Sequence, residues 1–150
     1  MKRIVSYIVV LAAAFAVPLR GTDVGKLQPV GLIQLDKEGE SVVIITDSGD
    51  SGIGETVQAA FENLEETTAG VIFLDTADFL IMRPELLEAV SELEGYLKPS
   101  VRICFAKERI DPKQAAEYLA VNHTGIKLKD HKSLEHAPEL IQENGRLRIK

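Results

Sequence analysis

Gly49-Asp50-Ser51-Gly52 is the stretch of this chain closest to a catalytic element, because it spells the surround of a serine-protease nucleophile. Such a serine attacks an acyl carbon only when a histidine takes its proton and an aspartate orients that histidine. No histidine precedes His123, and 150 residues are too few for the two-barrel scaffold that carries this motif. Glycine, aspartate and serine are also ordinary turn residues. No hydrolase is expected at Ser51.

The other chemistry-bearing groups were weighed in the same way. Gly49, Gly52 and Gly54 precede a helical pattern, where backbone N–H groups could cradle a phosphate. Their spacing does not fit G-x-G-x-x-G, no Gly-Lys-Ser/Thr follows, and Glu55 would repel an anion. Residues 21–26 contain a Gly-Lys pair without the spacing, hydroxyl residue or preceding strand of a nucleotide loop. His123, His131 and His136 lie in a polar stretch with no convergent metal-ligand spacing. Cys104 sits between Ile103 and Phe105 and reads as a buried, inert thiol. Asp47 with Asp50, and Asp75 with Asp78, could bind a hard cation, although neither pair has the oxygen-ligand density of a calcium loop. The expectation is therefore no catalytic residue, cofactor or metal. A small-ligand or cation-binding module at these four aspartates is the alternative.

The elements that must position these residues alternate in pattern. Residues 30–35 and 42–46 are β-branched apolar runs about a hydrophilic Gly39 turn, which predicts a hairpin. Residues 47–54 read as a loop with three glycines. Val57, Ala60, Phe61 and Leu64 then recur at helical spacing over 56–66. Residues 71–74 read as a buried strand, and 79–82 as another. Pro84 opens a helix whose stripe is Leu86, Val90, Leu93 and Leu97, stopped by Lys98-Pro99. A strand over 101–106 follows, then a helix to about 121 opened by an Asp111 N-cap and Pro112. A short helix over 133–143 and a terminal strand at Leu147 and Ile149 complete the reading. The fold class is α/β: a small mixed sheet packed with about three helices, preceded by an N-terminal signal or anchor helix.

That N-terminal segment gives the chain an address. Lys2 and Arg3 precede an uncharged run over 4–17, and Ala14-Phe15-Ala16 has the small-x-small form of a cleavage site. A run of about 14 residues is short for a comfortable span of roughly 20, so a retained anchor is the alternative to a cleaved signal. The expected organisation is a signal or anchor over 1–20, an α/β domain over 22–125 and a charged extension over 126–150. The location is extracytoplasmic: secreted, or anchored at the outer face of the cytoplasmic (or spore) membrane. Uncleaved, the N-terminal segment would itself contact the membrane.

Composition narrows the partners. The chain carries 17 basic and 23 acidic residues. Removing Lys2 and Arg3 with a signal leaves 15 against 23, a net charge of −8. Nucleic acid is not an expected partner, because phosphate contacts need clustered Lys and Arg. One cysteine permits no internal disulfide, so the core must stabilise the exported domain.

The landmarks from Thr22 to about Ala120 fall in a familiar order. Asp23 and Lys26-Leu27 follow the signal, and a strand ends in Asp36. Next comes the helix start Gly54-Glu55-Thr56-Val57-Gln58-Ala59-Ala60, then Gly70-Val71-Ile72-Phe73-Leu74 and Phe79-Leu80-Ile81-Met82 leading to Glu85-Leu86. A strand with an Ala106-Lys107 exit and the helix end Ala116-Glu117-Tyr118-Leu119 close the series. In this order the chain resembles the N-terminal domain of the Ger(x)C (GerAC-type) spore-germination lipoproteins. It departs from them at the lipid-attachment cysteine, where Thr22 stands, and in the Trp and Arg/Glu-rich segment. It also has no room for their second and third domains. The resemblance implies a small α/β scaffold on the outer face of a membrane, contacting other envelope or membrane proteins. The expected function is thus a non-enzymatic, exported protein-interaction domain of a cell-envelope or germination-related assembly. Its candidate interaction loops are 49–54 and 75–78, with Asp47, Asp50, Ser51, Asp75 and Asp78 as the residues to test.

Overall fold

The central hairpin forms as its two β-branched runs dictate. β2 (Leu32–Glu38) follows a short β1 (Leu27–Pro29) and pairs antiparallel with β3 (Ser41–Thr46), from Ile33 opposite Thr46 to Glu38 opposite Ser41. Gly39 makes the reversal at φ +62°, a conformation that costs a residue without Cβ almost nothing. A computed structural model describes residues 27–150. The expected signal or anchor over 1–20, and residues 21–26, lie outside the described residues.

Around the hairpin a six-stranded sheet assembles. β4 (Ser51–Gly54) adds antiparallel to β3, so the second half of the expected glycine loop is a strand. α1 (Val57–Thr67) follows, its first turn closed by the Thr56 hydroxyl accepting from the Ala59 N–H at 3.1 Å. β5 (Val71–Phe73) joins β1 rather than the main sheet, in a separate parallel ribbon. β6 (Phe79–Met82) and β7 (Arg102–Phe105) run parallel beside β2, and β8 (Ile126–Lys127) closes the far side antiparallel. The strand order is β4-β3-β2-β6-β7-β8. The α/β class with a mixed sheet is as the sequence predicts.

Because side chains alternate along a strand, β2 feeds two cores. Ile33 and Leu35 point to one face, under Phe61 and Leu64 of α1 and the Leu86–Val90–Leu93–Leu97 stripe. Leu32, with Phe79, Ile81 and Cys104, points to the other, under Ala115 and Leu119 of α3 (Pro112–Asn122). Asp111 caps α3 through the Gln114 N–H at 2.8 Å. Each fully buried aliphatic or aromatic side chain contributes on the order of 1.5–3 kcal/mol. Phe61 adds a near-parallel stack on Tyr96, with centroids 4.4 Å apart.

Four local expectations are corrected. The segment after Pro84 buries its stripe, yet it winds as a 3-10 turn (Pro84–Ala89) and one α turn, α2 (Val90–Leu93). Residues 71–74 are not a buried strand. Val71 and Phe73 are 48% and 43% exposed, because only Ile72 and Leu74 reach the core. The 47–54 stretch is half strand, as above.

The expected helix over 133–143 is instead a 3-10 segment, Leu128–His136, followed by β9 (Leu140–Glu143). Pro138 explains the stop: the residue before a proline is pushed to extended backbone, and Ala137 has ψ +139°. β9 pairs with β10 (Arg146–Ile149) about Asn144-Gly145, both at positive φ, the turn that hairpin twist favours. Residues 126–150 place Leu128 and Leu134 in one core and Leu140 and Leu147 in the other.

Candidate functional site

Two of the candidate residues, Asp47 and Asp78, meet at one glycine. Gly31 interrupts the chain between β1 and β2. Its N–H points at the Asp47 carboxylate, 3.1 and 3.2 Å from the two oxygens. Its carbonyl accepts from the N–H groups of Asp78 at 2.9 Å and Phe79 at 3.2 Å. The Thr76 hydroxyl fixes the same corner, accepting from the Val30 N–H and donating to the Val30 carbonyl. Asp47 and Asp78 are thereby drawn together at the amino-terminal ends of β2 and β6.

The five candidates differ in what holds them. Asp47 is half-buried and tied to Gly31. Asp50 accepts from the Ser48 hydroxyl at 2.7 Å, in a turn that also engages Thr46. Ser51 opens β4, and its carbonyl accepts from Thr67 at 3.2 Å. Asp75 is exposed in the 3-10 turn Leu74–Thr76. Asp78 pairs with Lys98 at 2.6 Å. Among the described residues, no three His, Cys, Asp or Glu side chains converge closely enough to share an ion. His123, His131 and His136 are all exposed.

The free edge of the sheet is also occupied. On β4, the Ile53 N–H donates to Asn63 Oδ1 at 3.0 Å, and the Ser51 carbonyl takes the Thr67 hydroxyl. Both partners belong to α1. An added strand would compete with these bonds, which shifts attention from the β4 edge to the loops.

Sequence reasoning missed the best-built polar cluster, at the opposite end. β2, β6 and β7 end there, the end at which open α/β sheets hold their ligands. Asp36 is 2% exposed. Its Oδ1 accepts from Arg83 Nε at 2.5 Å and the Lys37 N–H at 2.9 Å, and its Oδ2 from Arg109 Nε at 2.9 Å. Arg109 also reaches Glu38, and Arg83 the Lys107 carbonyl. Burial alone would raise the Asp36 carboxyl pKa. The bond from Arg83, then those from Lys37 and Arg109, outweigh it and hold the pKa below the usual carboxylate value. These charges tie the ends of β2, β6 and β7 together. An aspartate set at the end of an apolar run was the available signal.

Cys104 is buried, and burial, only partly offset by Arg102, pushes its thiol up to about 12. Maleimide is expected to label it only after denaturation. Labelling of the folded protein at the denatured rate would contradict this placement.

No family model, curated protein or solved structure matches this chain. Its function must be argued from the geometry above.

Proposed function

We propose that this chain is a non-enzymatic, extracytoplasmic protein-interaction domain, held at the outer face of the cytoplasmic membrane within a cell-envelope or germination-related assembly. The observation that carries the reading is that Asp47, just ahead of the candidate loop 49–54, and Asp78 of the loop 75–78 both bond to Gly31. The two loops carry four carboxylates, of which Asp78 is paired with Lys98. Such a surface suits a partner with basic loops, through steering and complementary charge. The leader-like residues 1–20 and the resemblance to Ger(x)C domains support the location.

The test is photocrosslinking in the native host through growth and sporulation, with the crosslinker at Asp50, at Asp75 and, as a control, at Val121 on α3. Adducts are expected from the two loop positions and not from the control. Equal capture at all three would overturn the reading. With the crosslinker at position 50, Asp75→Lys should abolish the adduct, and with it at position 75, Asp50→Lys should do the same, while Tm moves by only a few degrees, since Asp75 is exposed and Asp50, half-buried, accepts from the Ser48 hydroxyl. Unfolding of either variant would make the loops structural.

The alternative, a cation module at the same aspartates, predicts a rise in Tm with calcium through linkage. Asp47 already holds the Gly31 N–H, and Asp78 holds Lys98. We therefore expect no shift at millimolar calcium.

A further inference from the structure

The ribbon of β1 and β5 carries an apolar face that the interaction loops do not use. Leu27 lies opposite Val71 and Pro29 opposite Phe73, so these four side chains share one side of the ribbon. No charge interrupts them. Val71 and Phe73 are two of the four exposed large apolar side chains among the described residues. The ribbon's other side is anchored, with Ile72 packed on the core and Thr76 bonded twice to Val30. The face is therefore held in a fixed direction, although an isolated two-stranded ribbon would not be stable.

We propose that this face rests on a lipid surface, at the boundary between headgroups and acyl chains. The inference builds on the tethered reading of the N-terminal segment. The apolar run over 4–17 and Leu27 are separated by residues 18–26, which extended reach no further than about 30 Å. A domain on so short a leash stays at the bilayer, and the ribbon is the part the leash enters. Phenylalanine and aliphatic side chains are what such a boundary accepts. The charges on the flanking segments are mixed: Glu65, Glu66 and Asp75 are exposed, Lys98 reaches the Thr76 carbonyl, and Lys26 precedes Leu27 in sequence. A second protein is the poorer occupant, since stable interfaces engage roughly 20–30 residues a side and this face offers four. For a tethered chain even a small patch suffices, because the anchor has already supplied the encounter.

The chain has no tryptophan, so Phe73→Trp creates a single fluorescent reporter in the full chain. The protein would be incorporated into phosphatidylcholine vesicles, floated, and titrated with lipid brominated near the headgroup. Val121→Trp, on the 80%-exposed position of α3, is the control. We expect co-flotation, a blue-shifted Phe73→Trp emission and its loss on bromination, with neither change at Val121→Trp. Co-flotation with an unquenched, red emission at position 73 overturns the lipid contact and leaves the tethered reading standing. A blue shift without quenching means that something other than lipid covers the face, and overturns it too. Failure to float sinks both. Should Phe73→Trp misfold, Val71→Trp reads the same face.

Discussion

Gly52→Ala is expected to be the most damaging single-methyl change in the domain. α1 lies so close on β4 that a Cβ at position 52 would stand 2.3 Å from the Ala60 carbonyl oxygen and 2.6 Å from the Leu64 nitrogen. Both are helix backbone atoms, so no side-chain rotation relieves the clash. The helix must lift from the sheet. That opens the packing of Ala60, Phe61 and Leu64, all fully buried. Overpacking in a core costs about 1–3 kcal/mol where side chains can adjust. Here the upper end or beyond is expected, a fall in Tm on the order of 10 °C or more. Gly49→Ala is the control, since the space there is open and only its φ of +96° is strained; it should cost about 1 kcal/mol. Thermal melts of the two variants decide the point. If they lose equal stability, close approach is not what position 52 provides. The glycines at 52 and 54 answer to helix packing, and millimolar phosphate should leave Tm unchanged.

Asp36→Asn is the second large effect. The substitution keeps the shape and removes the charge that both Arg83 and Arg109 address. Breaking a buried pair by deleting one partner costs about 3–5 kcal/mol. The two guanidinium groups are 27% and 44% exposed and regain some water, so a loss of roughly 2–3 kcal/mol is expected. The pH dependence has a defined sign. Asp36 titrates lower in the folded than in the unfolded chain. Its contribution is thus full above the unfolded value near 4 and is lost as pH falls through the folded one. The gap between wild type and Asp36→Asn should be constant from neutral pH to about 5 and shrink below about 4. A gap that instead widens toward low pH would contradict the assigned pairing.

What was legible in the sequence was local. The apolar runs at 42–46, 79–82 and 101–106 are the strands β3, β6 and β7, because β-branched and apolar residues recur within a few positions. The Asp111-Pro112 pair marks the start of α3 to the residue. What failed needed information from elsewhere in the chain. Ser51–Gly54 has no strand pattern of its own and becomes β4 because glycine lets a helix lie on it. Val71 and Phe73 look like core residues, and only the pairing with β1 turns them outward. The Asp36 cluster joins residues 47 and 73 positions apart, beyond the reach of periodicity. Asn144-Gly145 is a local hairpin signal and Pro138 a local helix stop, and both are readable in the sequence. The site divides in the same way. Its loops could be nominated from composition, but the meeting of Asp47 and Asp78 at Gly31 is a product of the sheet.

Cysteine accessibility shows on which side of the cytoplasmic membrane the domain stands. Val121→Cys adds an exposed thiol to a chain whose only other thiol is the buried Cys104. Intact cells would be treated with a membrane-impermeant maleimide, before and after permeabilisation. The account predicts labelling of Val121→Cys in intact cells and none of the wild type. Labelling of the variant only after the membrane is opened would place the domain inside and contradict it.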